Sequence, residues 1–412
     1  MKPKGTVWVG VVLMALLGLT WGWAQGQGPI KIGMLAPLSG PFAAIGKDMV
    51  AGTELYLDEI GRQAGGRRIE LIVEDDEGNP ATGLTKTRKL VEQDKVHVIT
   101  GGLLASTGYA IHPYVEAQKI PTTYPVMAGD DLTQRKPARW VVRTGFTASQ
   151  AVHPFGEWAA TQLKYKKVVT IAMDYAFGWE VVGGFQRSFE EQGGQVVQKI
   201  WTPVNASDFA PFLAQIKRDA DAVFALFVGR LAIQFVKQYQ DAGLKARLPL
   251  VGGGPTTDEA LLPAMGDEAV GIVTPLHYSA ALDSPANKRF GAAFEKNAGK
   301  VPSPNAELCY TNARWIAEAV KAVGGNVEDR EALLAALRKV ELKDAPRGPV
   351  TVDRLGNPVQ NIYVRRVERV GGRLQNTVIH TFPAVSQFWK YTAEEYMKAP
   401  VYSRDYPACR SC

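Results

Sequence analysis

Residues 100–108 read Thr-Gly-Gly-Leu-Leu-Ala-Ser-Thr-Gly, at the end of the apolar run Val-His-Val-Ile-Thr of 96–100. Glycines let a backbone come close to a partner. The free N–H groups at a helix start, together with the Ser106 hydroxyl, could hold a carboxylate. The same residues allow two other readings. Ser106 could cap a helix, or it could be a nucleophile. Nucleophilic chemistry needs a base, and His112 is the one histidine close in sequence, with no evident acid to orient it. Leu-Ala-Ser-Thr-Gly is also not the G-x-S-x-G elbow of serine hydrolases. Pro113 bears on the helix itself. Inside a helix begun at Ser106 it would remove a backbone donor, so either the first turns are irregular or the regular helix starts near Pro113.

Other chemistries find little support. The first apolar run is followed by Pro-Leu-Ser-Gly-Pro-Phe-Ala-Ala-Ile-Gly (37–46), which lacks the dinucleotide spacing, and Gly-Gly-Gly-Pro-Thr-Thr-Asp (252–258) lacks it too. No phosphate-binding G-x-x-x-x-G-K-[ST] occurs. The five histidines (97, 112, 153, 277, 380) form no H-E-x-x-H pair. The acid pairs Asp75–Asp76 and Asp130–Asp131 read as solvated loop caps. Cys409 and Cys412 are spaced for a small-loop disulfide in an oxidising compartment. They find no neighbouring histidines to complete a metal site, and Cys309 reads as a buried thiol. No cofactor and no metal are expected.

The N-terminus places Lys2 and Lys4 before an apolar stretch from Val7 to Leu19, with Gly22 and Ala24 as small residues ahead of Gln25. This is the anatomy of a secretory signal peptide over residues 1–24. Its apolar core is short for a membrane span. Without those two lysines, the 47 basic residues fall to 45 against 41 acidic, a formal charge of +4 instead of +6. The charges are interspersed, so nucleic acid is not an expected partner. The remaining length suits two domains.

The elements that must position these residues alternate. Apolar runs at 30–38, 68–76 and 96–100 alternate with amphipathic stretches, one carrying Ile45, Met49, Gly52, Tyr56 and Ile60 at helical spacing and another covering 80–94. The rhythm restarts after 140–146. It runs through strands at 167–173, 194–201, 222–228 and 248–252 and helices at 148–164, 178–192, 208–218 and 230–242. Helices are expected at 285–298, 306–323 and 329–339. A late hairpin is expected from 348–353 and 361–368, then an irregular aromatic tail. Such alternation means α/β architecture with parallel sheets.

In order and spacing, Ile-Lys-Ile-Gly-Met-Leu-Ala-Pro-Leu-Ser-Gly-Pro-Phe (30–42), the 98–108 stretch, Ile-Pro-Thr-Thr-Tyr-Pro-Val-Met-Ala (120–128), Val-Val-Arg-Thr-Gly-Phe (141–146) and the 167–197 block resemble type I periplasmic binding proteins. The likeness covers roughly 29–370 and is closest to the leucine/isoleucine/valine-binding branch of ABC importers. Gly-Asp-Asp-Leu-Thr-Gln-Arg-Lys (129–136) and Asp-Tyr-Ala-Phe-Gly-Trp-Glu (174–180) are also similar to members that bind aromatic carboxylates.

The resemblance implies two doubly wound parallel-sheet lobes joined by three crossovers. The N-terminal lobe would span 29–144 plus 276–345, the C-terminal lobe 145–275 plus 346–383, and the tail 384–412. It implies a periplasmic, monomeric binder without a cofactor, which hands a small carboxylate to membrane permease subunits and closes about a hinge near Arg143–Gly145. Carried over by position, Ser106 grips the carboxylate, with Thr107 beside it, and Leu104 and Val126 to Ala128 add backbone groups. Ile45, Tyr175, Phe177, Arg230 and Tyr278 line the cleft, with Trp201 as a further aromatic. Amino-acid binders typically carry a threonine where Ala128 stands and an acid near 254–255, whereas Asp258 falls a few residues late. An aromatic acid is therefore the expected ligand, with a branched-chain amino acid, or a serine hydrolase built on Ser106, as alternatives.

Overall fold

The computed structural model describes residues 28–409 with Met1 and Cys412, so the expected leader and its cleavage site lie outside the described residues. The first lobe is built from β1 (Ile30–Ala36), α1 (Ala43–Glu59), β2 (Gln63–Ala64), β3 (Arg67–Asp75), α2 (Pro80–Glu92), β4 (Val98–Gly101), α3 (Ala105–Ala117), β5 (Thr122–Tyr124) and β6 (Val141–Arg143). The second adds α4 (Val152–Thr161), β7 (Lys167–Met173), α5 (Ala176–Glu191), β8 (Gln195–Thr202), α6 (Ala210–Leu213), β9 (Ala222–Leu226), α7 (Arg230–Asp241), β10 (Leu250–Gly252), α8 (Leu262–Met265) and β11 (Val273–Leu276). The chain continues through α9 (Pro285–Ala298), α10 (Pro304–Ala322), α11 (Arg330–Leu337), β12 (Leu342–Ala345), β13 (Gly348–Val352), β14 (Pro358–Val370), β15 (Arg373–Val385) and α12 (Ala393–Lys398).

The sheets run β2-β3-β1-β4-β5-β6 and β12-β13-β14-β11-β10-β9-β7-β8, with β15 on β14. Strands β3-β1-β4-β5-β6 are parallel, and so are β8-β7-β9-β10-β11. Each half thus repeats one winding order, in which the first strand and the third run side by side and their helices leave to opposite faces. That is where an open α/β sheet leaves a crevice. Central strands such as β7 are buried on both faces after Lys167, which is why they read as continuous apolar runs rather than alternating ones.

Helices α9 to α11 return to the first lobe. Trp315 on α10 is fully buried in one core with Ile30, Ile32 and Tyr56. Helices α1 and α10 touch so closely that a Cβ on Gly52 would lie 2.1 Å from the Ala306 carbonyl oxygen. Ser303 caps α10 through the Ala306 N–H, with Pro304 in its first turn.

Three fully buried arginines hold the chain where it passes between lobes. Arg143 donates from Nη1 to the carbonyls of Met127 (2.6 Å) and Phe146 (3.0 Å) and from Nη2 to Gly129 (2.6 Å). Arg347 pairs with Glu307 at 3.1 Å and donates to the Thr144 carbonyl. Arg365 pairs with Glu259 at 3.2 Å and donates to the carbonyl of Tyr278 at 2.8 Å. A guanidinium stays charged and fans its donors in a plane, so it can satisfy several carbonyls left over where sheets end. Gly145 must be glycine for space, since a Cβ there would lie 1.9 Å from the Pro125 carbonyl oxygen.

Several local expectations shift. Strand β12 pairs with β13 at the edge of the second sheet, while Leu342 and Ala345 pack in the core of the first lobe. The helix expected at 208–218 is only α6 with turns around it. Strand β15, unread in the sequence, forms a long hairpin with β14. The tail is not wholly irregular. Thr392 and Glu395 form a capping box on α12, and Phe388, Tyr396 and Tyr402 make their own buried cluster. Arg187 stacks 3.8 Å over Tyr391. His153 Nε2 bonds Tyr402 Oη at 2.9 Å, and burial pushes that imidazole down to about 3. Cys409 and Cys412 are joined as a disulfide, and Cys309 is a buried thiol whose pKa burial pushes up.

Candidate functional site

The two lobes face each other across a narrow slot formed by loops at the carboxyl ends of their strands. Leu103, Leu104 and Ala105 follow β4, and Val126 and Ala128 follow β5. From the opposite lobe come Tyr175 and Phe177 after β7, Val228 and Gly229 after β9, and Pro255 and Asp258 after β10. Phe146 enters from the first crossover and Asn305 from the start of α10. The slot is nearly closed, with an open interior of about 40 Å³, room for a few water molecules.

Three rings form one wall. Phe146 and Phe177 meet edge to face with centroids 6.3 Å apart, and Tyr175 lies 6.2 Å from Phe177. His277 packs behind Phe146 at 4.8 Å. Burial, then Arg347 and Arg365, hold it well below its usual pKa and neutral. Facing the rings is the first turn of α3. Its N-cap is Leu104, which makes no side-chain cap bond. The first-turn N–H groups, which have no intrahelical acceptor, therefore meet no capping side chain.

The structure brings together some of the residues singled out in the sequence and disperses others. Leu104, Val126, Ala128, Tyr175 and Phe177 line the slot. Ser106 is half-buried as the second residue of α3, beside the lining rather than in it, and does not cap the helix. Helix α3 begins at Ala105 and accommodates Pro113 internally, so the regular helix does not wait for that proline. Ile45 is buried and reaches across to Gly229, where a Cβ would sit 3.5 Å from its Cδ1. Thr107 turns away: it packs on Gly83 of α2, 2.6 Å from where a Cβ would be, and is fully buried. Arg230 is exposed, outside the slot lining, in a hollow shared by Asn205 of its own lobe and Gly40 and Pro41 of the first. Tyr278 is buried in a satellite cluster with Leu55, Phe290, Phe294 and Ala306. Trp201 lies on β8 and is not part of the lining.

Phe146, Asp258 and Asn305 were missed as site residues. Phe146 reads in sequence as part of a crossover, and Asn305 as a residue inside a helix start. Asp258 could have been found, as an acid close to the place where amino-acid binders carry one. Its Oδ1 accepts from the Ala260 N–H at 2.9 Å and its Oδ2 from Asn305 Nδ2 at 3.3 Å. Burial, then Glu259, push this carboxyl up to about 7, against the opposing pull of Arg365. His112, the only base near Ser106 in sequence, bonds Tyr124 Oη at 3.4 Å and the Lys136 carbonyl at 2.9 Å. Both ring nitrogens thus face partners other than Ser106.

A second polar cluster ties the lobes together. Tyr109 Oη on α3 donates to Glu180 Oε1 on α5 at 2.9 Å, and the Asp130 N–H donates to Glu180 Oε2 at 3.1 Å. The Ser149 N–H donates to Asp130 Oδ1 at 3.1 Å. Both carboxyls are buried. Burial and mutual repulsion raise Glu180 well above the usual carboxylate range. Burial above all raises Asp130 to about 6, with Ser149 and Arg143 opposing.

Two doubly wound lobes that meet across a slot between their strand ends define a two-lobed solute-binding protein. The chain belongs to the periplasmic binding protein family, whose model matches residues 29–373. It is 32% identical over 364 residues to a Leu/Ile/Val-binding protein homologue of Brucella melitensis, covering 86% of this chain and 91% of that one. Among solved structures it is similar to a solute-binding protein of an ABC transporter from Rhodopseudomonas palustris BisB5 in complex with 3,4-dihydroxybenzoic acid. That chain is 35% identical, with a TM-score of 0.83 and coverage of 87% of this chain and 98% of its own. A solute-binding protein of R. palustris in complex with benzoate is 34% identical, with a TM-score of 0.82 and coverage of 87% and 98%. The chain is thus the substrate-binding component of an ABC transporter. Among the described residues no helix is long and apolar enough to cross a membrane.

Proposed function

We propose that this protein captures a small aromatic carboxylate outside the cytoplasm and delivers it, as a monomer, to the membrane permease subunits of its transporter. The observation that carries the reading is the wall of Phe146, Tyr175 and Phe177 set across a narrow slot from the uncapped first turn of α3. The rings offer stacking area and the helix N-terminus offers hydrogen bonds to an anion. The carboxylate would sit on the first-turn N–H groups, with the Ser106 hydroxyl as an added donor. Closure about the crossover at Arg143–Gly145 would exclude water and strengthen those bonds. The benzoate and dihydroxybenzoate complexes of the R. palustris relatives support the same ligand class.

Calorimetry with benzoates, hydroxycinnamates, aliphatic acids and branched-chain amino acids tests this. Aromatic acids should bind most tightly, and Ser106→Ala should weaken them by about 1–3 kcal/mol, the loss of a hydrogen bond to a charged group. Tight leucine binding with no response to aromatic acids would overturn the ligand class. Unchanged affinity in the variant would remove Ser106 from the cradle.

A further inference from the structure

We infer that Asp258 and Asn305 form a second polar subsite in the slot, which reads a hydroxyl group carried on the ring of the ligand away from its carboxylate. The inference rests on the aromatic-acid reading above and narrows it to hydroxylated aromatic acids.

Three features of the site carry it. The first is placement. Asp258 and Asn305 line the same slot as the three rings and the start of α3, yet they arrive from different elements, the turn after β10 and the start of α10. Asp258 is 5% exposed, so its carboxyl faces a nearly dry space.

The second is charge. The neighbouring carboxylates already have cations: Glu259 pairs with Arg365 at 3.2 Å and Asp48 with Lys300. Asp258 has only neutral donors, the Ala260 N–H and the Asn305 amide. An anionic ligand in the same slot disfavours a second negative charge, so Asp258 is expected to hold its proton when an aromatic acid is bound.

The third is donor and acceptor matching. Asn305 gives one amide hydrogen to Asp258 and has a second to offer. The Asp258 carboxyl can accept a hydrogen bond. A phenolic hydroxyl donates once and accepts readily, which fits this pair. An ammonium group carries three donors and no acceptor, so it would leave the Asn305 amide facing a cation. A bare ring would leave both groups without a ligand partner, a strong basis for rejecting it.

The test is calorimetry of the full exported chain with benzoate, 3- and 4-hydroxybenzoate, 4-hydroxycinnamate and leucine, repeated with Asp258→Ala and Asn305→Ala at pH 6 and pH 8. At least one hydroxylated acid should bind tenfold or more tighter than benzoate. Its affinity should fall from pH 6 to pH 8. Asp258→Ala should bring the hydroxylated acid to within about threefold of benzoate, with a circular-dichroism spectrum and thermal melt showing that the variant is folded. Equal affinities for benzoate and every hydroxylated acid in the unaltered protein would overturn the subsite and leave the aromatic-acid reading intact. Retention of the tenfold preference in both variants would overturn it equally. If no aromatic acid binds and leucine does, both readings fall, and loss of leucine binding in Asp258→Ala would then make Asp258 an ammonium partner.

Discussion

Replacing Asp130 by Asn should stabilise this protein at pH 8 and do so much less at pH 4.5. In the folded chain Asp130 and Glu180 are buried together with one arginine, Arg143, close enough to act on both. Of the other groups facing them, Asp131 is paired with Arg135 at 3.1 Å, and Tyr109 and Tyr396 are phenols whose pKa burial pushes up. The cluster therefore carries two carboxyls for one available cation. The folded-state pKa of Asp130 is raised from 3.8 to about 6, mainly by burial. At about 1.4 kcal/mol per pH unit, that rise makes ionised Asp130 unfavourable by on the order of 2–3 kcal/mol. The sign follows from the raised value. Between the unfolded pKa and about 6 the folded chain holds a proton that the unfolded chain has released, so stability falls as pH rises through that window and then levels. Asparagine keeps the acceptor for the Ser149 N–H, seen at 3.1 Å, and removes one of the two charges. Glu180 can then ionise opposite Arg143. Urea unfolding of both proteins at pH 4.5 and pH 8 measures the difference. A gain of about 2–3 kcal/mol at pH 8 that shrinks to about 1 kcal/mol at pH 4.5 is expected. Destabilisation at pH 8, or the same difference at both pH values, would refute the charge argument.

Gly145→Ala should lower the urea midpoint by an amount equivalent to about 3 kcal/mol or more, because the new methyl meets backbone rather than a movable side chain; an unchanged midpoint would show that the crossover yields freely. Truncation after Ser386 removes the buried aromatics Phe388, Tyr396 and Tyr402 from their places against α4 and α5. At about 1.5–3 kcal/mol for each buried side chain, less the entropy regained by the freed chain, the melting temperature should fall by several degrees. An unaltered melting curve would mean that the tail is a passenger.

The α/β class and most of the elements were readable from periodicity alone, because parallel strands buried on both faces make unbroken apolar runs and their covering helices recur at 3.6 residues. Strand β7 was located to the residue this way, and Pro80 marked the start of α2 through its fixed backbone angle. Length and the absence of catalytic motifs pointed to two lobes and to binding rather than reaction. Strand β15 escaped this reading because it is a partly solvated hairpin strand with polar and apolar residues mixed. The helix expected at 208–218 forms only over Ala210–Leu213, although Phe209, Leu213 and Ile216 are all buried in the core.

The slot itself was a different kind of fact. Which residues meet there depends on the winding order of two sheets, and that order joins loops more than a hundred residues apart, from Leu104 to Asp258 and Asn305. Local sequence records whether a side chain suits a core, but not which core: Tyr175 and Tyr278 look alike in the chain, yet one faces the slot and the other a satellite cluster. Thr107 and Ala105 are two residues apart on one helix turn, and the rotation of that turn sends the threonine against α2 and the alanine into the slot. The protonation of Asp130, Glu180 and Asp258 also belongs to tertiary structure alone, because burial and the supply of nearby cations set it, and neither is written in the neighbouring residues.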